Sequence, residues 1–95
     1  MFNPGDIVYV QSASTGYKYI FIFKRINYPS IDSYYTYNLQ DKIGSNTWPH
    51  LMLIEAFQNA RLATDAEKEI LLTKLFSQGK TFDKETLQII DNEEI

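Results

Sequence analysis

Cysteine is missing altogether from this chain, which removes disulfide frameworks, thiolate metal sites and cysteine nucleophiles together. Histidine occurs once, at His50, so a Ser–His relay would rest on that residue alone. The four glycines are scattered and build no phosphate-cradling loop. No apolar run approaches the roughly 20 residues that a membrane-spanning helix needs. The opening residues, Met1-Phe2-Asn3-Pro4-Gly5-Asp6, lack the basic start and apolar stretch of a secretory signal. These absences predict a cytoplasmic protein with no membrane partner. An excess of basic residues is missing too, since the net charge is −3. Residues 64–95 carry eight acids against four lysines, whereas residues 1–63 are nearly balanced. Duplex nucleic acid is thereby excluded as a partner for the whole domain.

What is present is aromatic and β-branched. With 44% hydrophobic and 22% charged residues, the 95-residue chain reads as one globular domain, residues 1–95. It divides into a β-rich part (1–63), a helix (64–79) and a hairpin with a tail (80–95). The stretch from Tyr17 to Ile26 alternates strictly. One stripe is Tyr17, Tyr19, Phe21, Phe23 and Arg25; the other is Lys18, Ile20, Ile22, Lys24 and Ile26. Neither stripe is mostly polar. The stretch therefore reads as a central strand, about 17–28, covered on both faces or covered on one and binding something on the other. Its length predicts a bend or a bulge.

Around it, Ile7-Val8-Tyr9-Val10 after the Pro4-Gly5-Asp6 turn predicts a first strand at about 6–12. Tyr28-Pro29-Ser30-Ile31-Asp32-Ser33 reads as a break, because proline has no ladder donor. Tyr34–Leu39 reads as a third strand with Tyr35, Tyr37 and Leu39 on one face. Residues 40–49 show no usable period. His50–Phe57 is a short apolar run that favours a strand over a helical turn, and Ala60-Arg61-Leu62 reads as a last short strand.

Thr64-Asp65-Ala66-Glu67 fits a capping box, with acids suited to the positive end of a helix dipole. The helix is expected over about 65–78, with Leu71, Leu72, Leu75 and Phe76 as its apolar stripe and Gly79 at its C′ position. Either the isoleucine stripe, Ile20, Ile22 and Ile26, meets Leu72, Leu75 and Phe76 and the aromatic stripe faces the other way, or the aromatics meet the helix and the isoleucine face needs another cover, such as a second copy. Thr81-Phe82 and Leu87–Ile90, joined through Asp83–Thr86, predict a terminal hairpin. The fold class that follows is α+β: a small antiparallel sheet or barrel of 4–5 strands, one capped helix and a short hairpin.

Two parts resemble known proteins. Phe2-Asn3-Pro4-Gly5-Asp6-Ile7-Val8-Tyr9-Val10 is similar to the opening strand of SH3-like small barrels. Residues Ala60–Lys68, followed by Leu71, Leu75, Gly79 and Phe82-Asp83-Lys84-Glu85, resemble the tail of small uncharacterised proteins from Bacteroides-type gut bacteria and their phages. In those proteins a "P-A-T-x-E-E-K" helix start precedes a glycine and a "W-[DN]-x-E" turn. Here Phe82 stands in place of the tryptophan, and Leu62 precedes Ala63 where a proline is common. The resemblance covers about a third of the chain. It implies a phage or mobile-element accessory protein and brings no catalytic residue or cofactor.

All seven tyrosines lie between positions 9 and 37. Rings on a sheet stack on bases or on protein side chains, and lysine or arginine beside them neutralises phosphate. The candidate ligand-binding residues are therefore Tyr17, Tyr19, Lys24, Arg25, Tyr35, Tyr37, Trp48, His50 and Arg61. The competing reading is that Phe21, Phe23 and part of the tyrosine set are ordinary core. No carboxylate pair or metal-ligand spacing stands out, and no cofactor is implied. The expectation is a non-catalytic binding protein that sequesters a small anionic nucleotide signal or a host protein. A single-stranded nucleic-acid module and a structural subunit are the alternatives, and apolar stripes left exposed favour a homo-oligomer.

Overall fold

Alternation over 17–26 does produce the central strand, and both of its stripes are buried over Ile20–Phe23. The computed structural model describes residues 2–12, 16–27, 30–45, 59–92 and the backbone of 50–53. In chain order the elements are β1 (Ile7–Gln11), β2 (Lys18–Asn27), β3 (Ser30–Asn38), β4 (Ile43–Ser45), β5 (His50–Leu53), β6 (Arg61–Leu62), α1 (Asp65–Ser77), β7 (Lys80–Asp83) and β8 (Gln88–Asp91). The first six strands form one antiparallel sheet with β2 between β1 and β3. Strand β6 extends the β1 edge. Strands β4 and β5 share the outer edge of β3, β4 along Thr36–Asn38 and β5 along Ser30–Asp32. The last two strands pair as a separate hairpin. This is the expected small α+β fold. Its pairings among the described residues leave β6 as one edge and β4 with β5 as the other, so they describe an open sheet.

The register assigns each stripe its neighbours. Ile7 and Tyr9 lie opposite Ile22 and Ile20, which lie opposite Tyr35 and Tyr37 on the other side. These residues, with Ala63, Leu71 and Leu75, make the core under the helix. Val8, Val10, Phe21, Phe23 and Ile31 make a second core on the opposite face, joined by half-buried Phe2, Tyr19 and Ala60. Fully burying an apolar side chain contributes roughly 1.5–3 kcal/mol. Two such cores on one sheet are what a chain this short needs to fold alone.

The expected irregularity in β2 is there. The β2–β3 register shifts between Ile22 and Phe23 and again between Phe23 and Arg25. The N-terminal turn occupies this kink: the Gly5 amide donates to the Phe23 carbonyl at 2.9 Å, and the Phe23 amide donates to the Asp6 carbonyl at 2.8 Å. Gly5 holds φ +93°, and a Cβ there would stand 3.1 Å from Leu87 Cδ2. A glycine satisfies both demands.

The helix starts as its sequence predicts. The Thr64 hydroxyl accepts from the Glu67 amide, and the Thr64 amide donates to Glu67 Oε1 at 2.8 Å. It stops before Gly79, which takes φ +80°.

Three expectations change. Strand β3 begins at Ser30, not Tyr34, because its polar residues find partners: Asp32 accepts from Arg25 Nε at 2.8 Å, and the Ser33 and Thr36 hydroxyls share a hydrogen bond. A strand, β4, occupies Ile43–Ser45, where no period was legible. The helix buries Leu71 and Leu75, while Leu72 and Phe76 are exposed, as is Ile26. Residues four apart share one face of a helix, so a single sheet takes up one such pair and turns the adjacent pair outward. The second half of the His50–Phe57 run lies outside the described residues, as do Glu93–Ile95.

Candidate functional site

Of the nine residues singled out for ligand binding, the seven whose side chains are described do not converge. Tyr35 and Tyr37 belong to the core beneath α1, 1% and 8% exposed. The Tyr35 hydroxyl donates to Gln78 Oε1 at 2.6 Å, and Gln78 Nε2 donates to the Gly44 carbonyl at 3.1 Å. Burial, with Tyr37 beside it, pushes the Tyr35 hydroxyl up to a pKa of about 12. A Cβ on Gly44 would stand 2.6 Å from Tyr35 Cζ, so a bare backbone at that position lets the ring pass. The arrangement clasps the end of α1 to the sheet edge.

Tyr17 and Tyr19 lie on the other face, edge to face at 6.5 Å. The Tyr19 hydroxyl is held above its ordinary pKa by burial, then by Tyr17 and Asp41. An acid beside these rings opposes an anionic ligand. Lys24 lies over the Tyr34 ring, 5.4 Å from its centre, and Tyr34 in turn packs on Phe82. Arg25, well exposed, is ion-paired with buried Asp32. Arg61 is fully engaged: its guanidinium covers the Tyr9 ring at 4.1 Å and grips Glu67 with two bonds of 2.8 and 2.9 Å. That grip, opposed by partial burial and aided by Thr64, pulls the Glu67 carboxyl down to about 2. Trp48 lies outside the described residues. His50 is described in its backbone, which pairs with Asp32 across β3 and β5.

A different surface comes together at α1. Leu72, Phe76 and Leu62 are 41%, 68% and 57% exposed. Beside them a groove of about 330 Å³ runs between β1, β6, the helix and the hairpin. Its apolar lining is Ile7, Leu62, Leu72 and Phe82, with Lys68 and Lys84 at its rim. Asp6, also at the rim, has one carboxylate oxygen taken by the Asn3 amide. A shallower recess continues past Leu72 to Phe76, bordered by Asp65 and Glu69. The signal in the sequence was the width of the stripe: Leu71, Leu72, Leu75 and Phe76 cover more of the helix than one sheet can take.

Among the described residues no group of three His, Asp or Glu side chains is placed to hold a metal ion. No helix among them is long and apolar enough to cross a membrane. No family model, curated protein or solved structure matches this chain. The arrangement offers an apolar floor with charges at its rim, which suits side chains of another protein better than a reacting group.

Proposed function

We propose that this is a non-catalytic binding protein of the cytoplasm that sequesters a protein partner through the outer face of α1. The observation that carries the reading is the exposed apolar strip Leu62–Leu72–Phe76 beside its groove. Single exposed apolar residues are common on soluble domains, whereas a contiguous strip next to a recess supports an interaction surface. Residues 60–85 resemble the tail of small uncharacterised proteins of gut bacteria and their phages, which implies an accessory protein and goes with an inhibitory role in a host cell. The small-anion form of the reading has less support, since Arg25 and Arg61 are ion-paired and the tyrosines divide between two faces.

Affinity capture from host cells with wild type and with Phe76→Glu tests the reading. A protein held by wild type, lost by Phe76→Glu and reassembled from purified components at fixed stoichiometry is the expected result. Equal capture by both forms overturns it. Calorimetric titration with cyclic di- and trinucleotides is expected to show no heat of binding. A saturable signal that Tyr17→Ala abolishes restores the small-ligand reading.

A further inference from the structure

We infer that the first occupant of this face is a second copy of the chain, so that the free protein is a reversible homodimer. The inference rests on the reading that the outer face of α1 makes protein contacts. Lys68, Leu72 and Phe76 stand four residues apart, on one ridge of the helix. A two-fold axis through Leu72, perpendicular to the helix, carries Phe76 of one copy onto Lys68 of the other. The groove is at that place, bounded by Leu62, Lys68 and Leu72 with Ile7 and Phe82 beneath. Phe76 is the most exposed large apolar side chain among the described residues.

Phe76 and the groove-lining Lys68 thus lie four residues on either side of Leu72, which itself borders the groove. That spacing makes the patch complementary to itself, as an isologous contact requires. The Lys68 ammonium over the incoming phenyl ring adds a cation–π contact, and the antiparallel helices oppose their dipoles favourably. The strip is narrow beside an obligate interface, so monomer and dimer exchange. A partner drawn to the same face then competes with the second copy, and its arrival is read as dissociation.

The absence of cysteine makes the test clean, because any introduced thiol is unique. Sedimentation of the wild type across the micromolar range is expected to show mass rising from one chain to twice that value. Phe76→Glu stays at one chain with an unchanged melting midpoint, since Phe76 lies outside both cores. Leu72→Cys, on the axis, faces its own copy and forms a covalent dimer under mild oxidation. Ile70→Cys, also exposed but on another side of the helix, forms markedly less. A wild type that stays monomeric throughout overturns the inference, as does crosslinking at position 70 equal to that at 72. The two readings fail separately: a monomer whose partner capture is still lost in Phe76→Glu removes self-association alone. Undiminished capture by Phe76→Glu removes the partner reading.

Discussion

Over Ile20–Phe23 the two faces of β2 are equally dry, yet they are closed in different ways. On one, Phe21 and Phe23 sit with Val8, Val10 and Ile31 in a core built mostly from the sheet's own strands. On the other, Ile20 and Ile22 are covered by a 13-residue helix whose buried residues are Leu71 and Leu75. Two side chains are little to orient such a helix, because a pair of contacts leaves it free to pivot. Packing against β7 and two sets of polar groups supply the rest. At its start, Arg61 and Thr64 hold Glu67; at its end, Gln78 bridges Tyr35 and Gly44. The comparison teaches that one face is held by volume and the other by volume plus two clamps. That division also explains why the outer side of the helix is free to carry apolar residues for another purpose.

Truncating each core tests the division most forcefully. Phe21→Ala is expected to cost about 3–5 kcal/mol and Leu71→Ala about 2–5 kcal/mol, the usual range for fully buried positions. The sharper readout is which amides lose protection in native-state hydrogen exchange. Leu71→Ala should release the amides of α1 while those of β1–β3 stay protected, whereas Phe21→Ala should lower protection everywhere. Equal loss in both variants shows the two faces to be one cooperative unit.

The clamp at the helix end gives the next largest effect. Gly44→Ala drives a methyl into the Tyr35 ring and is expected to cost about 1–3 kcal/mol by overpacking. The cost should shrink when Tyr35→Ala is made as well, because the second change removes the obstacle. A double-mutant cycle in urea measures that coupling. Additive costs would show that Gly44 is needed for its strand pairing and not for the ring.

How far this could be read from residues alone differs between the two clamps. The box Thr64-Asp65-Ala66-Glu67 was legible because its partners are three residues apart, and local spacing is all that a sequence displays. The strand at 17–26, its bulge and the hairpin were legible for the same reason. The Tyr35–Gln78–Gly44 clasp joins residues 43 positions apart at its widest, and no local rule connects them. Ser30–Ser33 read as part of a break after Pro29, because burial of Asp32 depends on Arg25 across the ladder. The tyrosines were legible as a cluster in sequence but not in space. Alternation fixes sidedness within a strand, while pairing decides which side of the next strand it meets. The described part of the candidate ligand site consequently divided, and the apolar strip on α1 was recognised as sequence but assigned to the core.

Alkaline titration separates the end clamp from the core it touches. The Tyr35 hydroxyl has its pKa raised from 10.0 to about 12 in the folded protein. A raised value means that this stabilisation is fully present below pH 10 and is lost as pH climbs toward 12, since the unfolded chain ionises first. Tyr35→Phe is expected to cost about 1 kcal/mol at neutral pH through the lost hydrogen bond to Gln78. Its stability should then fall less steeply than wild type between pH 10 and 12 in chemical denaturation. Parallel curves would show that the hydroxyl ionises as freely in the fold as in the open chain.

The starting clamp gives the smallest effect and the opposite pH signature. Glu67 is lowered from 4.5 to about 2, first by the hydrogen bond from Arg61. A lowered value contributes stability above pH 4.5 that is lost as pH falls toward 2, where the folded carboxylate takes up its proton. Glutamine at this position keeps the reach back to the Thr64 amide but not the charge. Glu67→Gln should therefore lower neutral stability by about 0.5 kcal/mol, the scale of an ion pair near the surface. Wild type and variant should converge as the acid is added, and high salt should narrow the gap at neutral pH. A gap that persists at pH 2 places the effect in shape and not in charge. The start of α1 would then be held, like the far face of β2, by packing alone.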